Sequence, residues 1–314
     1  MANKDDKMFN TTVFLVLGFS DIRELQVLYF ALFLLIYWTT VMGNLLIIIL
    51  VTLNQQLHTP MYFFLINLSL ADIGNISVSI PKAMSNSLMN TRIISYSECV
   101  FQVFFLILFS VTDLFLLTFM AYDRYIAICN PLHYGAVMNV GTCMQMAGGA
   151  WVSGIFCAML HTGATFSMPF CSNVVNQFFC EIPQLLKLSC NGNSMIETRV
   201  NVFAACLALF CFVFIIFSYV QIFTNVLRIP SVQGRKKAWS TCMPHLIVVS
   251  LFICTGTLAY LCPTSEAPKD LVMMISALYS MLPPMMNPLI YSMRNQEIRA
   301  ALLKFFGWKL YSKH

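Results

Sequence analysis

Long runs of apolar residues, separated by short polar stretches, make up most of the chain. A membrane-spanning α-helix needs about 20 consecutive, mostly apolar residues. Runs of this kind predict spans at 26–53, 60–84, 97–129, 142–161, 198–227, 238–261 and 271–293. The polar segment 228–237 is predicted to connect the fifth and sixth spans. We therefore predict an all-α membrane protein, a seven-transmembrane helix bundle.

Composition supports a lipid-facing surface. The chain is 59% apolar and 10% charged, whereas soluble domains carry about 25% charged residues. The net charge of +5 comes without a long basic run or aromatic–basic interleaving, so no nucleic-acid partner is predicted. The first residues, Met1 to Met8, mix Lys with Asp and lack the pattern of a cleavable signal peptide. The first span is therefore expected to act as both the membrane-targeting signal and the membrane anchor.

Basic residues indicate the orientation of the bundle, because they cluster beside cytoplasmic helix ends in membrane proteins. Here they cluster beside one set of span ends, at Arg228, Arg235, Lys236, Lys237 and Arg294. This pattern predicts an extracellular N-terminus. The sequon Asn10-Thr11-Thr12 lies on the same outer side, so glycosylation is expected at Asn10.

A further helical pattern follows the last span. Its apolar residues share one helical face while basic residues lie elsewhere, and they are Ile298, Ala301, Leu302, Phe305 and Phe306. This predicts a short amphipathic cytoplasmic helix 8 on the inner leaflet, with a solvated tail as the alternative. The chain then divides into an extracellular N-terminus (1–25), a seven-transmembrane domain (26–293) and a cytoplasmic amphipathic helix and tail (294–314).

Four of the twelve cysteines are expected outside the cell: Cys99, Cys171, Cys180 and Cys190. The extracellular compartment oxidises thiols, so these cysteines are candidates for disulfides. Four cysteines allow three connectivities, and their spacing does not choose among them. Zinc binding is the rival interpretation, but no local His shares the spacing.

Several charged or helix-breaking residues lie inside or at the ends of the spans. Asp72 and Asp113 lie at bilayer depth, where an unpaired charge costs several kcal/mol. Each must be protonated, hydrogen-bonded or neutralised by a cation. Asp123 can hold its neighbour Arg124 in a charge-assisted pair at a helix end. Pro288 permits a kink that serves either as a hinge or as a static bend.

Seven motifs in order carry a resemblance to a known family. They are Gly43-Asn44, the stretches 57–65 (LHTPMYFFL), 68–72 (LSLAD) and 120–129 (MAYDRYIAIC), Ser218-Tyr219, and the stretches 237–245 (KAWSTCMPH) and 284–292 (PMMNPLIYS). Taken together, they resemble the olfactory (odorant) receptors of the tetrapod class II type, which are rhodopsin-like, class A G-protein-coupled receptors.

The resemblance implies a non-enzymatic receptor in the plasma membrane, in contact with membrane lipid. Its implied partners are a small, mostly hydrophobic volatile odorant and a heterotrimeric G protein of the stimulatory, olfactory type, which raises cyclic AMP. It also implies the disulfides Cys99–Cys180 and Cys171–Cys190. No cofactor is implied beyond a structural sodium ion. Its sodium pocket maps onto Asn44, Asp72, Ser110, Asp113 and Asn287. The family usually carries Glu where Asp113 stands, so its shorter side chain departs from the pattern.

The resemblance also implies a ligand site and an activation switch. The ligand-binding positions are Phe104, Ile107, Ser110, Val111, Phe203, Leu207, Ile253, Gly256, Thr257, Tyr260 and Ser280. The switch and G-protein-coupling positions are Asp123, Arg124, Tyr125, Tyr219, Lys237, His245, Asn287, Pro288 and Tyr291. Leu106 and Ile107 stand where amine receptors carry an Asp, so a cationic amine lacks its usual counter-ion in the third span.

One other function fits the sequence equally well, and two fit it less well. A receptor of the same fold that senses a metabolite outside the olfactory epithelium has the same sequence features. A transporter or channel tends to show inverted repeats and interrupted helices at matching positions, and the sequence shows neither. An intramembrane protease could use Asp72 and Asp113 as a dyad, but no Gly-x-Gly-Asp or HExxH motif accompanies them.

Overall fold

The computed structural model describes residues 12–16, 18, 22–175, 177–190, 195–228, 230–261, 269–294 and 296–305. The predicted glycosylation site Asn10 lies outside these residues. The side chains of two predicted site residues, Lys237 and Tyr260, also lie outside the described set.

Helices dominate the described residues. In chain order they are α1 (Arg23–Leu53), α2 (Pro60–Met89), α3 (Tyr96–Cys129), α4 (Tyr134–Val137), α5 (Val140–Phe166), α6 (Ile182–Lys187), α7 (Met195–Arg228), α8 (Val232–Leu261), α9 (Lys269–Arg294) and α10 (Gln296–Phe305). Each predicted span corresponds to one long helix, and α10 is the predicted short C-terminal helix. The seven-helix bundle is therefore confirmed.

The connection between the fifth and sixth spans is shorter than predicted. Segment 228–237 was expected to be a polar linker, but α8 already begins at Val232. The Ser231 hydroxyl accepts the Gly234 N–H at 3.2 Å and caps the new first turn. Polar residues such as Gln, Arg and Lys are good helix formers, so the helix continues beyond the bilayer, where hydropathy gives no signal.

Helix α3 runs through the centre of the bundle and packs against α2, α5, α7 and α8. A Cβ added at Gly154 of α5 would lie 2.7 Å from the Leu108 carbonyl oxygen, so glycine permits this close crossing. Within the described ranges, six helices are long and apolar enough to cross a membrane by length and composition. The more polar α9 is not among them, and it joins the bundle by packing against α1, α2 and α8.

A small sheet on the outer side was not predicted. Strand β1 (Val13–Val16) pairs antiparallel with β2 (Ile93–Ser95) and parallel with β3 (Val174–Val175). Phe14 is fully buried beneath this sheet. Strand preference depends mainly on neighbouring packing, so such short strands leave little signal in the sequence. The N-terminal segment is thereby joined to two extracellular loops.

Candidate functional site

Two disulfides fix the extracellular loop between α5 and α7. Cys99 at the outer end of α3 is bonded to Cys180, and Cys171 is bonded to Cys190. Both pairs are those that the resemblance implied. The Cys180 N–H also donates to the Gln102 side-chain oxygen at 3.0 Å. The loop is therefore held against α3 where it crosses the outer end of the bundle.

The predicted ligand positions divide into inward and outward groups. Ser280 on α9 is fully buried. The partly buried positions are Phe104, Ile107, Ser110 and Val111 on α3, Leu207 on α7, and Ile253 and Gly256 on α8.

Two predicted ligand positions are exposed. Phe203 is 46% exposed and lies on α7 at seven-residue spacing from the exposed Phe210 and Phe217, so it shares their outward face. Thr257 on α8 is exposed as well. The structure therefore brings Ser280 and the partly buried positions into the bundle, but not Phe203 and Thr257.

A polar cluster at the outer end of α9 was missed by sequence reasoning. The Gln177 amide donates to the Ser276 hydroxyl at 2.7 Å, and this hydroxyl donates to Glu181 at 3.1 Å. Burial raises the pKa of Glu181 to about 7, although hydrogen bonds from Ser276 and Tyr279 oppose the shift. The available signal was that Glu181 directly follows Cys180, whose disulfide fixes its position.

A second polar cluster lies midway through the bundle. The Asn287 amide donates to both carboxylate oxygens of Asp72, at 2.9 and 3.2 Å. Asn44 donates to the Pro284 carbonyl at 3.1 Å, which places it beside the same part of α9. Asp113 is buried and close enough to Asp72 for the two carboxyl groups to interact electrostatically. The structure thus brings four of the five predicted sodium-site residues together.

Whether a cation fits this cluster can be judged from its unpartnered oxygen atoms. One side-chain oxygen each of Asn44, Asp113 and Asn287, the Oδ1 atom, is buried and has no hydrogen-bond partner among the described residues. Hard cations prefer carboxylate and carbonyl oxygens, and a buried acceptor without a donor is unfavourable. The donor set therefore fits a small cation, with Asp72 and Asp113 supplying negative charge. Ser110, the fifth predicted residue, is partly buried on the same helix as Asp113.

The cytoplasmic end differs from the prediction at the Asp123–Arg124 pair. Asp123 accepts a hydrogen bond from the Tyr134 hydroxyl at 2.8 Å, and Arg124 does not pair with it. Within the described residues, Lys82–Glu98 is the one ion pair whose nitrogen–oxygen distance is below 4 Å, at 3.1 Å. Adjacent residues on a helix point in different directions, which leaves Asp123 free for the loop helix α4. The predicted close ion pair is therefore not formed, although Arg124 still acts electrostatically on Asp123. Burial raises the pKa of Tyr134, which keeps the phenol protonated.

The other switch residues form a connected group. The Tyr219 hydroxyl is 2.7 Å from His245 Nδ1, and His245 Nε2 is 3.0 Å from the Leu117 carbonyl. This chain of polar contacts joins α7, α8 and α3. Tyr291 is fully buried and, with Tyr219 and His245, lies within electrostatic range of Arg124. Pro288 is buried nearby against Gly43, while Tyr125 is partly buried against Phe217.

Known proteins resemble this chain in sequence and in fold. The family profile described as "Olfactory receptor" matches residues 33–309. Human olfactory receptor 14A16 is 48% identical over 303 residues, which cover 96% of this chain and 98% of that receptor. Human olfactory receptor 14I1 is 49% identical over 302 residues, which cover 96% and 97%. Squid rhodopsin superposes with a TM-score of 0.71 at 18% identity, covering 90% of this chain and 86% of that one, and shares its fold. The chain belongs to the olfactory receptor family of G-protein-coupled receptors.

Proposed function

We propose that this olfactory receptor binds small, mostly hydrophobic volatile molecules in the outer half of its bundle. Binding activates a stimulatory, olfactory-type G protein and raises cyclic AMP. The observation that carries this proposal is the arrangement around α3. A partly buried apolar face lies beneath a disulfide-bonded loop at its outer end. At its cytoplasmic end, Arg124 has no ion-pair partner within 4 Å among the described residues.

The outer half of α3 supports an apolar ligand. Phe104, Ile107 and Val111 recur at helical spacing and are only partly buried, so other side chains do not fully cover them. Ser110 and Ser280 add hydroxyl groups. Ligand sites in proteins are mainly apolar, with a few polar groups that fix orientation. This composition suits a compact hydrophobic molecule with one polar group.

The cytoplasmic half supports coupling to a G protein. His245 joins α8 to the backbone of α3 and to Tyr219 of α7. An outward movement of α8 would break these contacts and open the end of the bundle beside Arg124. A ligand favours that state only by binding it more tightly than the closed state. We infer that the ligand acts through α3 and α8, which contact each other.

The proposal predicts a cyclic AMP response to some odorants in cells that express this chain with an olfactory G protein α subunit. Phe104→Ala should weaken that response by about tenfold or more, because removing a buried aromatic contact costs about 2 kcal/mol. The matched control is Phe210→Ala on the exposed face of α7, which should respond normally. Silence across a broad volatile panel, with the receptor detected at the cell surface, would contradict the proposal.

We also propose that Asn44, Asp72, Ser110, Asp113 and Asn287 hold a sodium ion in the resting state. The unpartnered buried oxygens described above support this assignment. A ligand that binds only the folded state raises its stability. The purified receptor should therefore melt at a higher temperature in sodium chloride than in N-methylglucamine chloride at equal ionic strength. Asp113→Asn should remove the difference, and equal melting of the wild type in the two salts would refute the assignment.

A further inference from the structure

The cluster formed by Gln177, Glu181 and Ser276 has a feature that a purely structural link does not need. Gln177 is fully buried, and its side-chain oxygen has no hydrogen-bond partner. Its amide nitrogen donates to the Ser276 hydroxyl, which in turn donates to Glu181. The cluster therefore holds a carboxylate and an amide group bonded to the same hydroxyl, and the oxygen of that amide is unpartnered among the described residues. Both groups accept hydrogen bonds.

The cluster lies directly above the proposed odorant site. Ser276 precedes Ser280 by four residues on α9, so the two hydroxyls share one face and Ser276 is one turn nearer the outside. Ile107 of α3 packs against the hydrophobic cluster that contains Cys180 and Ile182, the two neighbours of Glu181. Glu181 is only partly buried. A ligand between Ile107 and Ser280 would therefore meet the carboxylate at its outer end.

Among the described residues, no base forms an ion pair with Glu181. Lys187, on α6 of the same loop, is exposed and acts on it electrostatically, but the two do not form an ion pair within 4 Å. From α9, Ser276 and Tyr279 contribute uncharged hydroxyl donors. From α3, the nearest anchored group is the neutral amide of Gln102, bonded to Cys180. A partly desolvated carboxylate in these surroundings favours a cationic partner.

We propose that Glu181 is the counter-ion for a protonated primary amine carried by a small apolar ligand, with the Gln177 side-chain oxygen as a second acceptor. An ammonium group has three N–H donors and no acceptor, which matches two acceptors whose parent groups are bonded to the same Ser276 hydroxyl. The third span carries Leu106 and Ile107 where amine receptors carry an Asp, and the loop supplies the acid instead. This inference rests on the proposed odorant site, because the apolar part of the ligand occupies that site.

The wild-type receptor provides a pH test. An alkylammonium group, like the Lys side chain with its pKa of about 10.4, stays protonated between pH 6 and pH 8. Glu181 ionises across this interval, since its pKa is about 7. The ionised fraction, and with it the affinity for the amine, should rise about tenfold from pH 6 to pH 8. The matching alcohol should bind equally at both values.

The experiment measures the thermal stabilisation of the purified full-length receptor by n-alkyl primary amines and by the corresponding alcohols, four to eight carbons long. Glu181→Gln keeps the shape and an acceptor for Ser276 but removes the charge, so it should lose at least tenfold in amine affinity and keep its alcohol affinity. The matched control is Glu98→Gln, which removes an exposed carboxylate from the same side. If Glu181→Gln does not fold, the inference is tested by the wild-type pH profile and by Ser276→Ala, which removes the hydroxyl that donates to Glu181.

The outcomes separate this inference from the proposed function. Amine binding that is absent, independent of pH, or unchanged in Glu181→Gln overturns the inference, even where neutral odorants bind and raise cyclic AMP. Equal pH dependence for amines and alcohols overturns it as well, because it would assign the effect to general stability. Silence toward neutral odorants in the cyclic AMP assay overturns the proposed function instead, whatever the amines do to the melting temperature.

Discussion

Cells expressing the Arg124→Ala variant should lose odorant-evoked cyclic AMP although the receptor reaches the surface in normal amounts. In the part of the chain that the structure describes, Arg124 makes no ion pair within 4 Å, and its buried Nε atom has no hydrogen-bond partner. Removing one member of a buried pair destabilises a protein because the other charge is left behind. Asp123 interacts electrostatically with Arg124 but keeps its hydrogen bond from Tyr134 in the variant, so the loss of Arg124 should weaken the fold only slightly.

Loss of signalling follows from the position of Arg124 beside Tyr219, His245 and Tyr291. A guanidinium group carries five donors in a rigid fork that matches carbonyl and carboxylate groups of an incoming chain. Losing a buried charged contact across an interface costs about 2–5 kcal/mol, which reduces coupling by at least about 30-fold.

The measurement pairs cyclic AMP accumulation with surface labelling of the intact cells. Arg228→Ala removes an exposed arginine at the cytoplasmic end of α7, and it serves as the matched control that should signal normally. A normal odorant response from Arg124→Ala would exclude Arg124 from the coupling surface. Reduced surface labelling of this variant would show instead that Arg124 supports the fold.

Replacing Cys180 by Ser should remove most of the receptor from the cell surface. The Cys99–Cys180 disulfide joins residues 81 positions apart. In the chain-entropy description, a closed loop of this size stabilises the folded state by about 4.5 kcal/mol. Protein domains have net stabilities of about 5–15 kcal/mol, so this loss is a large fraction of the total. Cys180 is also fully buried, and Ser would place a hydroxyl in an apolar cluster.

Three variants test this explanation by surface labelling and by melting of the purified receptor. Cys171→Ser opens a bond between residues 19 positions apart, so it should cost less, about 3 kcal/mol. Cys206→Ser replaces an exposed free cysteine on α7 and should change nothing. Cys99→Ser combined with Cys180→Ser should lose no more than either alone. Additive losses would mean that the two cysteines act separately rather than as one bond.

Hydropathy and helical period predicted the long helices because these signals are local. The third span, expected at 97–129, is α3 at Tyr96–Cys129. Predictions failed where no lipid contact was required, as at the start of α8. Charge pairing inside the bundle was also misjudged at Asp123, whose partner Tyr134 lies on a separate loop helix. Oppositely charged neighbours in the sequence suggest an ion pair, but adjacent side chains on a helix point in different directions.

The ligand positions show the same limit. Resemblance supplied residues on α3, α7, α8 and α9, and the partly buried positions on α3 have the exposure that a site requires. Phe203 does not, because the rotation of α7 is set by its neighbours and turns that face outward. Glu181 was overlooked because its sequence context does not mark it as a ligand contact. It is a single acid in an irregular loop, and only the disulfide and the contact with Ser276 give it a distinctive environment.

The sequence by itself determined the membrane location, the orientation and the number of long helices, because each depends on residues close together in the chain. Its motifs were sufficient to indicate the receptor family. The tertiary structure decided which polar groups meet: Asp72 with Asn287, Tyr219 with His245, and Glu181 with Ser276. These contacts join residues from different helices and loops. Their geometry follows from how the helices rotate and pack against one another, which no local pattern encodes.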